Sequence, residues 1–157
     1  MSDWYFAYGS NLWIDQMAKR TGPLGEGENR PRRAQLSNYR LVFNMRGECG
    51  QVFANIVSPG KGVLGVLYYC APEALARLDE YEQGYDRARV VVTAENGEQV
   101  EAFTYIAEPA HRASGGRPSA EYLLRIVTGA RQHGLPDAYI SEIENEAILG
   151  AAADGRR

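Results

Sequence analysis

The sequence has little of what membrane proteins, secreted proteins and nucleic-acid-binding proteins require. None of its apolar runs approaches the length that a helix needs to cross a bilayer. The N-terminus has neither the basic segment nor the apolar segment of a signal peptide. The 17 Lys and Arg residues are outnumbered by 20 Asp and Glu residues, so no basic surface for nucleic acid is indicated. We therefore expect a cytoplasmic protein without nucleic-acid or membrane partners.

Cysteine and histidine are also scarce. Cys49 and Cys70 form no C-x-x-C pair, which predicts reduced thiols. His111 falls in a predicted loop and His133 in the last turn of a predicted helix, and neither has a motif that makes it a general base, so we expect both at the surface. There is no G-x-S-x-G motif and no His/Cys pair with zinc-ligand spacing. The sequence thus predicts no serine nucleophile and no metal site.

The chain of 157 residues, 45% of them hydrophobic, is long enough for one domain with a sizeable core. Apolar and aromatic runs predict strands over residues 4–8, 39–45, 51–57, 63–70, 87–94 and 99–107. Asn96-Gly97 separates the last two runs and predicts a hairpin turn in which both residues have positive φ.

Helical spacing and turn residues complete the predicted order of elements. Helices are predicted over residues 11–20, from Pro72 to near Gly84, over 118–133 and over 136–148, with a loop over 21–33. We expect a single α+β domain over residues 1–149 with a mainly antiparallel sheet. Residues 150–157 are predicted to form a flexible tail.

The stretch Tyr8-Gly9-Ser10-Asn11-Leu12 ends the first predicted strand abruptly. A glycine at such a corner permits a sharp turn and lets another molecule approach the backbone. If a helix begins here, the N–H groups of Ser10, Asn11 and Leu12 lack helical partners and can bind a carboxylate or a developing oxyanion. The alternative is that Ser10 or Asn11 only caps the helix.

Acidic residues are the remaining candidates for proton transfer. Asp79, Glu80 and Glu82 cluster at the end of the second predicted helix, where mutual repulsion and the negative end of the helix dipole raise a carboxyl pKa. Tyr81 and Tyr85 flank the cluster and favour partial desolvation. A pKa raised in this way suits a general base. The alternative is a solvated acidic helix end.

An ordered set of short segments resembles the γ-glutamylcyclotransferase family, which has an AIG2-like fold. The segments cover almost the whole chain, and they are Tyr8-Gly9-Ser10-Asn11-Leu12, Ala54-Asn55-Ile56 with Ser58-Pro59-Gly60, Val63-Leu64-Gly65-Val66-Leu67-Tyr68, Leu78-Asp79-Glu80-Tyr81-Glu82 with Gly84, Phe103-Thr104-Tyr105, and a last block from Pro118-Ser119-Ala120-Glu121-Tyr122 through Gly129-Ala130 and Gly134-Leu135-Pro136 to Tyr139. The first segment alone is a weak signal, but the ordered set is strong. The last block favours the branch that acts on γ-glutamyl amino acids over the glutathione-specific branch.

The resemblance implies a fold and a reaction. The fold is a small, closed or nearly closed, mixed but mainly antiparallel β-barrel with surrounding helices. In the reaction, the α-amine of a small γ-glutamyl substrate attacks its own γ-carbonyl, closes 5-oxoproline and releases the free amine. No cofactor, metal or covalent enzyme intermediate is implied, and a monomer or homodimer is expected by analogy.

Matching residues to the family pattern assigns roles. Glu82 matches the general acid/base, and the segment from Tyr8 to Leu12 matches the part that holds the γ-glutamyl group. Tyr105 and Tyr139 match tyrosines near the pocket. Asn55 is either a polar wall of the pocket or a strand residue bonded to its neighbours.

One departure from the family pattern leaves the substrate open. Gln83 separates the acid from Gly84, whereas the family often has glycine directly after the acid. Glu80 therefore stays a reserve candidate for the base. A cyclotransferase acting on a γ-glutamyl amine or a γ-glutamyl-protected metabolite is one alternative, with loops 21–33 and 111–117 shaping specificity. A non-catalytic small-molecule-binding module is another.

Overall fold

The structure is a computed structural model that describes the backbone of residues 1–154 and the side chains of residues 1–148. Seven strands occur within this range: β1 (Asp3–Ala7), β2 (Arg32–Leu36), β3 (Arg40–Arg46), β4 (Val52–Val57), β5 (Val63–Cys70), β6 (Tyr85–Ala94) and β7 (Gln99–Ala107). The α-helices in the same range are α1 (Ile14–Thr21), α2 (Pro72–Tyr81), α3 (Ala120–Gln132) and α4 (Asp137–Asp154).

Five of these strands close into a barrel in the order β1-β5-β2-β6-β7. Strand β5 pairs antiparallel with β1 and β2, and β6 pairs antiparallel with β2 and β7. The barrel closes through a parallel contact of β1 with β7 at Tyr5 and Phe103. The predicted α+β class, with a small, mixed but mainly antiparallel β-barrel and surrounding helices, is confirmed.

Strands β3 and β4 form a separate antiparallel hairpin outside the barrel order. The chain after β7 runs beside this hairpin, because Met45 forms an isolated antiparallel bridge with Arg112. The N–H of Ala113 also donates to the carbonyl of Asn44 at 2.8 Å. The hairpin is therefore held on one side by residues that follow the barrel.

The sequence does not predict β2, although this strand lies between β5 and β6 in the barrel. Its sequence, RRAQL, has no β-branched or aromatic residue, so its intrinsic strand propensity is low. Ala34 and Leu36 are buried whereas Arg33 and Gln35 are exposed, as expected for a half-buried strand. Pairing with two neighbouring strands, rather than local sequence, makes this segment a strand.

The helices differ from prediction at both ends of the chain. The helix predicted over 11–20 is present as α1 but begins later, at Ile14. A single 3₁₀ turn at Ser10–Leu12 and an extended Trp13 come before it. At the other end, α4 continues to Asp154, so the predicted tail over 150–157 begins inside a helix. Residues 155–157 of that predicted tail lie outside the described residues.

The turn between β6 and β7 joins the two strands that the sequence predicts, but its backbone geometry differs from the predicted one. Gly97 has a φ of 89°, whereas Asn96 does not have positive φ. The N–H of Gly97 donates to the carbonyl of Ala94 at 2.8 Å, and the Asn96 side chain accepts from Glu98 N–H at 3.0 Å. The expectation of positive φ at both residues is wrong, because a turn with one left-handed glycine also connects two twisted strands.

One hydrophobic core joins the barrel to the helices. Phe6, Leu67 and Phe103 from the barrel strands are almost completely buried, as are Met17 of α1 and Ile126 of α3. Within the part of the chain that the structure describes, none of the helices combines the length and the apolar character needed to cross a membrane.

Candidate active site

A cavity of about 730 Å³ opens beside the turn that follows β1. This volume is in the usual range for small-molecule sites. The cavity contains six of the residues predicted for the site, which are Tyr8, Gly9, Ser10, Asn11, Glu82 and Tyr105. Another cavity, of about 320 Å³ and lined in part by Cys70 and Arg77, contains none of them. The larger cavity is therefore the candidate active site.

Glu82 lies directly after α2, at the helix C-cap. Its side chain is partly buried, and its Oε1 accepts a hydrogen bond from Asn11 Nδ2 at 3.0 Å. Burial raises the pKa of Glu82 to about 7, although the Arg20 charge and the Asn11 hydrogen bond lower it and Asp79 raises it slightly. A carboxyl group with this pKa can both accept and release a proton near neutral pH.

Of the causes that the sequence indicates, partial desolvation is the main one, because burial contributes most to the raised pKa of Glu82. Repulsion within the acidic cluster contributes less and comes from Asp79. Asp79 accepts hydrogen bonds from Arg87 and from the Tyr105 hydroxyl, each at 2.6 Å. Although burial opposes them, these bonds hold the pKa of Asp79 below its usual range. Glu80 is exposed and does not line the cavity, so Glu82 alone of the three acids is placed there.

The side chain of Asn11 is buried and fully bonded. Its Oδ1 accepts hydrogen bonds from Gln16 Nε2 at 3.1 Å and from Arg20 Nη1 at 3.0 Å. Its Nδ2 donates to the Tyr5 hydroxyl at 3.1 Å and to Glu82. Because donors surround the oxygen and acceptors surround the nitrogen, the amide has one favourable orientation, with its N–H group directed at Glu82.

Side chains of β5 and of the end of α3 contact the backbone of the turn that follows β1. The Tyr68 hydroxyl lies 2.9 Å from the carbonyl oxygen of Asn11 and 3.1 Å from that of Leu12. His133 Nε2 lies 3.0 Å from the carbonyl of Leu12, and burial lowers the pKa of this imidazole. At Gly129 a Cβ would come within 2.2 Å of the Leu12 carbonyl carbon, so only glycine lets α3 approach this closely. His133 is therefore half-buried against the turn, and not fully exposed as the sequence suggests.

Tyrosine hydroxyls bonded to backbone atoms form much of the cavity wall. Tyr8 donates to the carbonyl of Tyr105 at 2.6 Å, and Tyr85 donates to the carbonyl of Ala54 at 2.6 Å. The Tyr122 hydroxyl accepts from Ala54 N–H at 3.1 Å. Burial raises the pKa of Tyr122 to about 12 and raises the pKa values of Tyr8 and Tyr85 well above the usual value. These groups are therefore neutral at physiological pH.

The turn does not have the helix N-terminus that the sequence predicts. The N–H of Leu12 donates to the carbonyl of Gly9 at 3.0 Å, and the Leu12 side chain is completely buried. Leu12 therefore supplies no free N–H group and does not line the cavity. The alternative role of Ser10 or Asn11 as helix cap is also wrong, because α1 begins after Trp13 and has no side-chain cap.

Two other residues considered from the sequence lie outside the cavity lining. Tyr139 is on α4 and packs, partly buried, against the hydrophobic core. Tyr139 is not among the residues that line the cavity, so its predicted role stays a prediction. Asn55 is completely buried, accepts from Ala107 N–H at 2.9 Å and donates to Asn44 Oδ1 at 3.0 Å. Asn55 is thus a strand residue bonded to its neighbours.

The sequence does not predict several residues that line the cavity. Arg20 of α1 is one of them, and it shares a helix face with Gln16, four residues earlier, whose side chain bonds to Asn11. Arg46 of β3 and Arg125 of α3 are two others, and no local pattern places them beside Glu82. His111, at the start of the loop that we considered for specificity, also lines the cavity. Among the described residues, no group of three His, Cys, Asp or Glu side chains could hold a metal ion.

Comparisons with known proteins show which family the chain resembles in sequence and in fold. Residues 62–143, just over half of the chain, match the model of the AIG2-like family. A mouse protein named γ-glutamylcyclotransferase is 28% identical over 96% of this chain and 83% of its own length. A human protein of the same name is 29% identical over 89% of this chain and 76% of its own length. A solved structure described as a γ-glutamyl cyclotransferase is 28% identical, with a TM-score of 0.78 over 92% of this chain and 87% of that chain.

Proposed function

Because the chain belongs to the AIG2-like family, we propose that it is a γ-glutamylcyclotransferase that converts a γ-glutamyl amino acid into 5-oxoproline and the free amino acid. The observation that carries this proposal is the carboxyl group of Glu82. It is partly buried in the cavity, bonded to Asn11 at 3.0 Å, and burial raises its pKa to about 7. The similarity to proteins named γ-glutamylcyclotransferase supports the same activity.

Glu82 acts as the general acid and base of this reaction. The α-amine of the substrate is an ammonium group at neutral pH and cannot attack until a base takes a proton from it. The ionised Glu82 takes that proton, the free amine forms a bond to the γ-carbonyl carbon, and the bond from that carbon to the leaving nitrogen breaks. Overall, the attacking nitrogen loses two protons and the leaving nitrogen gains two, so Glu82 returns to its ionised form.

The turn after β1 holds the γ-glutamyl group in the folded shape that ring closure needs. Gly9 and Ser10 line the cavity and present backbone without bulky side chains. Polar groups of this turn face the γ-carbonyl oxygen as negative charge develops there. Because the attack is intramolecular, correct positioning supplies much of the rate, with contributions of several kcal/mol in oriented systems (roughly 7–11 at most).

Tyr8 and Tyr105 complete the wall around the γ-glutamyl group. Both are buried, and burial raises the pKa of the Tyr8 hydroxyl well above its usual value, so it stays neutral beside the ionised Glu82. Tyr105 is held by its bond to Asp79 at 2.6 Å. These residues shape the cavity and leave proton transfer to Glu82.

The test is the formation of 5-oxoproline from γ-glutamyl-alanine by the purified protein. We expect 5-oxoproline and alanine in equal amounts, at a rate proportional to protein concentration and far above the rate without protein. A panel that contains γ-glutamyl amines and glutathione would rank leaving groups. If the folded protein binds 5-oxoproline tightly but releases it from no γ-glutamyl compound, the proposal is wrong and the chain is a binding module.

A further inference from the structure

The proposed reaction uses only part of the cavity. The β3–β4 hairpin lines another part, through Met45, Arg46, Glu48, Gln51 and Phe53. We call this part the hairpin wall. When a γ-glutamyl group occupies the space beside Glu82 and the turn, the hairpin wall stays free. It can then contact the leaving group, which is the part of the substrate attached to the γ-carbonyl.

Arg46 is the cation of the hairpin wall, and its charge is unmatched. Its Nη2 donates to the carbonyl of Ser114 at 2.9 Å, but its Nε is buried and has no hydrogen-bond partner. Among the described side chains, no carboxylate lies within 4.0 Å of its guanidinium group. A partly buried cation without a carboxylate partner is costly unless an anion or water joins its guanidinium group.

The other two arginines that line the cavity already have side-chain partners. Arg125 Nη2 pairs with Glu121 at 2.6 Å. Arg20 donates to Asn11, and its guanidinium lies 4.5 Å from the centre of the Tyr81 ring. Arg46 is therefore the cavity arginine with the strongest need for an anionic partner.

The Arg46 side chain is also held in place before any substrate binds. Its bond to Ser114 adds to the bridge between Met45 and Arg112 that joins the hairpin to the chain after β7. At Gly116 a Cβ would lie 2.6 Å from Arg46 Nη2, so the missing side chain leaves room for the guanidinium group. A cation held in this way loses little conformational entropy when it binds a carboxylate.

Close contacts connect the hairpin wall to the reacting end of the cavity. The Met45 Cε would lie 2.6 Å from a Cβ at Gly84, which is two residues after Glu82. Phe53 packs edge-on against Tyr122, with 5.1 Å between ring centres. A leaving group attached to a γ-carbonyl near Glu82 therefore extends along the hairpin wall.

We propose that Arg46 binds the α-carboxylate of the leaving amino acid, so that the preferred substrates are γ-glutamyl-α-amino acids rather than γ-glutamyl amines. This inference rests on the proposed function. Two acidic residues of the cavity would repel a bound carboxylate, but both are exposed to screening of their charge. Glu108 lies 3.9 Å from His111, and Glu48 is exposed to solvent. The partly buried charge of Arg46 interacts more strongly with a bound carboxylate than these solvated acids do.

The test compares two substrates that differ only in this carboxylate, γ-glutamyl-alanine and γ-glutamyl-ethylamide. We expect the wild-type protein to favour γ-glutamyl-alanine by about 10- to 100-fold in kcat/KM, as for a charge-assisted hydrogen-bonded pair. Arg46→Gln is expected to lose most of that preference through a higher KM for γ-glutamyl-alanine, while turnover of the ethylamide changes less than about twofold. Arg40→Gln is the matched control, because Arg40 is an exposed arginine of the same strand outside the cavity lining.

Three other outcomes would overturn the inference. Equal turnover of both substrates by wild type would show that no group of the protein binds the carboxylate of the leaving amino acid. An equal loss with both substrates in Arg46→Gln would show that Arg46 supports only the structure of the hairpin. If wild type turns over neither substrate, nor any compound of the γ-glutamyl panel, the proposed function itself fails and the inference falls with it.

Discussion

Asn11 Nδ2 donates to Glu82 Oε1 across 3.0 Å, although the two residues are 71 positions apart in the chain. Asn11 belongs to the turn after β1, and Glu82 follows α2. This bond joins the turn that we propose holds the substrate to the residue that we propose moves the protons. The protonation of Glu82 therefore depends on the orientation of the Asn11 amide, which Gln16 and Arg20 fix from α1.

Replacing Asn11 should move the pH dependence of the reaction. The Asn11 hydrogen bond stabilises the ionised form of Glu82 and so lowers its pKa. In Asn11→Leu we expect the acidic limb of kcat/KM against pH to move up by about one pH unit, equivalent to ~1.4 kcal/mol. This shift alone should lower activity at pH 7 about fivefold, because the ionised fraction of Glu82 falls from about one half to about one tenth. Gln99→Ala is the control, since Gln99 is exposed and lies outside the cavity lining. An unmoved acidic limb in Asn11→Leu would contradict this role.

The raised pKa of Glu82 should also appear in the stability of the protein. The pKa is about 7 in the folded state against the usual 4.5, so the folded state holds this proton more tightly than the unfolded state. The stabilising contribution of the protonated group is complete below pH 4.5 and is lost as pH rises to 7 and above.

Glu82→Gln removes this titration, so its effect on unfolding should depend on pH. We expect the variant to gain about 1 to 3 kcal/mol in free energy of unfolding relative to wild type between pH 4.5 and pH 8.5. Urea unfolding at several pH values measures this difference. Glu80→Gln, at an exposed site, should show no such trend. A difference between Glu82→Gln and wild type that stays constant with pH would contradict the raised pKa.

Tyr68 should matter for both stability and activity, because its hydroxyl bonds the carbonyls of the turn. Tyr68→Phe removes the hydroxyl that lies 2.9 Å from the Asn11 carbonyl and leaves buried acceptors with fewer partners. We expect a loss of about 1 to 2 kcal/mol in free energy of unfolding, together with a lower kcat. Tyr69→Phe is the matched control, since Tyr69 is the next residue of β5 and 37% exposed. Equal stability and activity of the two variants would show that the turn does not need Tyr68.

Local sequence signals predict most of the elements and the residue at the centre of the site. The aromatic strand before Gly9, the apolar run of β5 and the proline that begins α2 have strong local signals. Glu82 follows from the family resemblance, and the structure places it in the cavity. These features depend on the local conformational preference of the chain or on short segments that match the family pattern.

The features that the sequence does not predict depend on contacts between distant segments. Strand β2 exists because β5 and β6 pair with it, since RRAQL alone does not favour a strand. Leu12 and Tyr139 lie in segments that match the family pattern, but neither lines the cavity. Leu12 is completely buried, and Tyr139, which belongs to α4, packs against the core. Burial is the main cause of the raised pKa of Glu82, and a count of neighbouring acids does not reveal how deeply the residue is buried. The place of Arg46 likewise depends on the hairpin's position outside the barrel.

The most direct measurement of the central claim is 5-oxoproline release from γ-glutamyl-alanine by wild type, Glu82→Gln and Glu80→Gln, each shown to be folded by circular dichroism. We expect release by wild type and by Glu80→Gln at similar rates. For Glu82→Gln we expect a loss of at least about 100-fold in kcat, because a general acid/base has been removed. Turnover by Glu82→Gln at a rate close to that of wild type would contradict the assignment of Glu82 as the group that moves the protons.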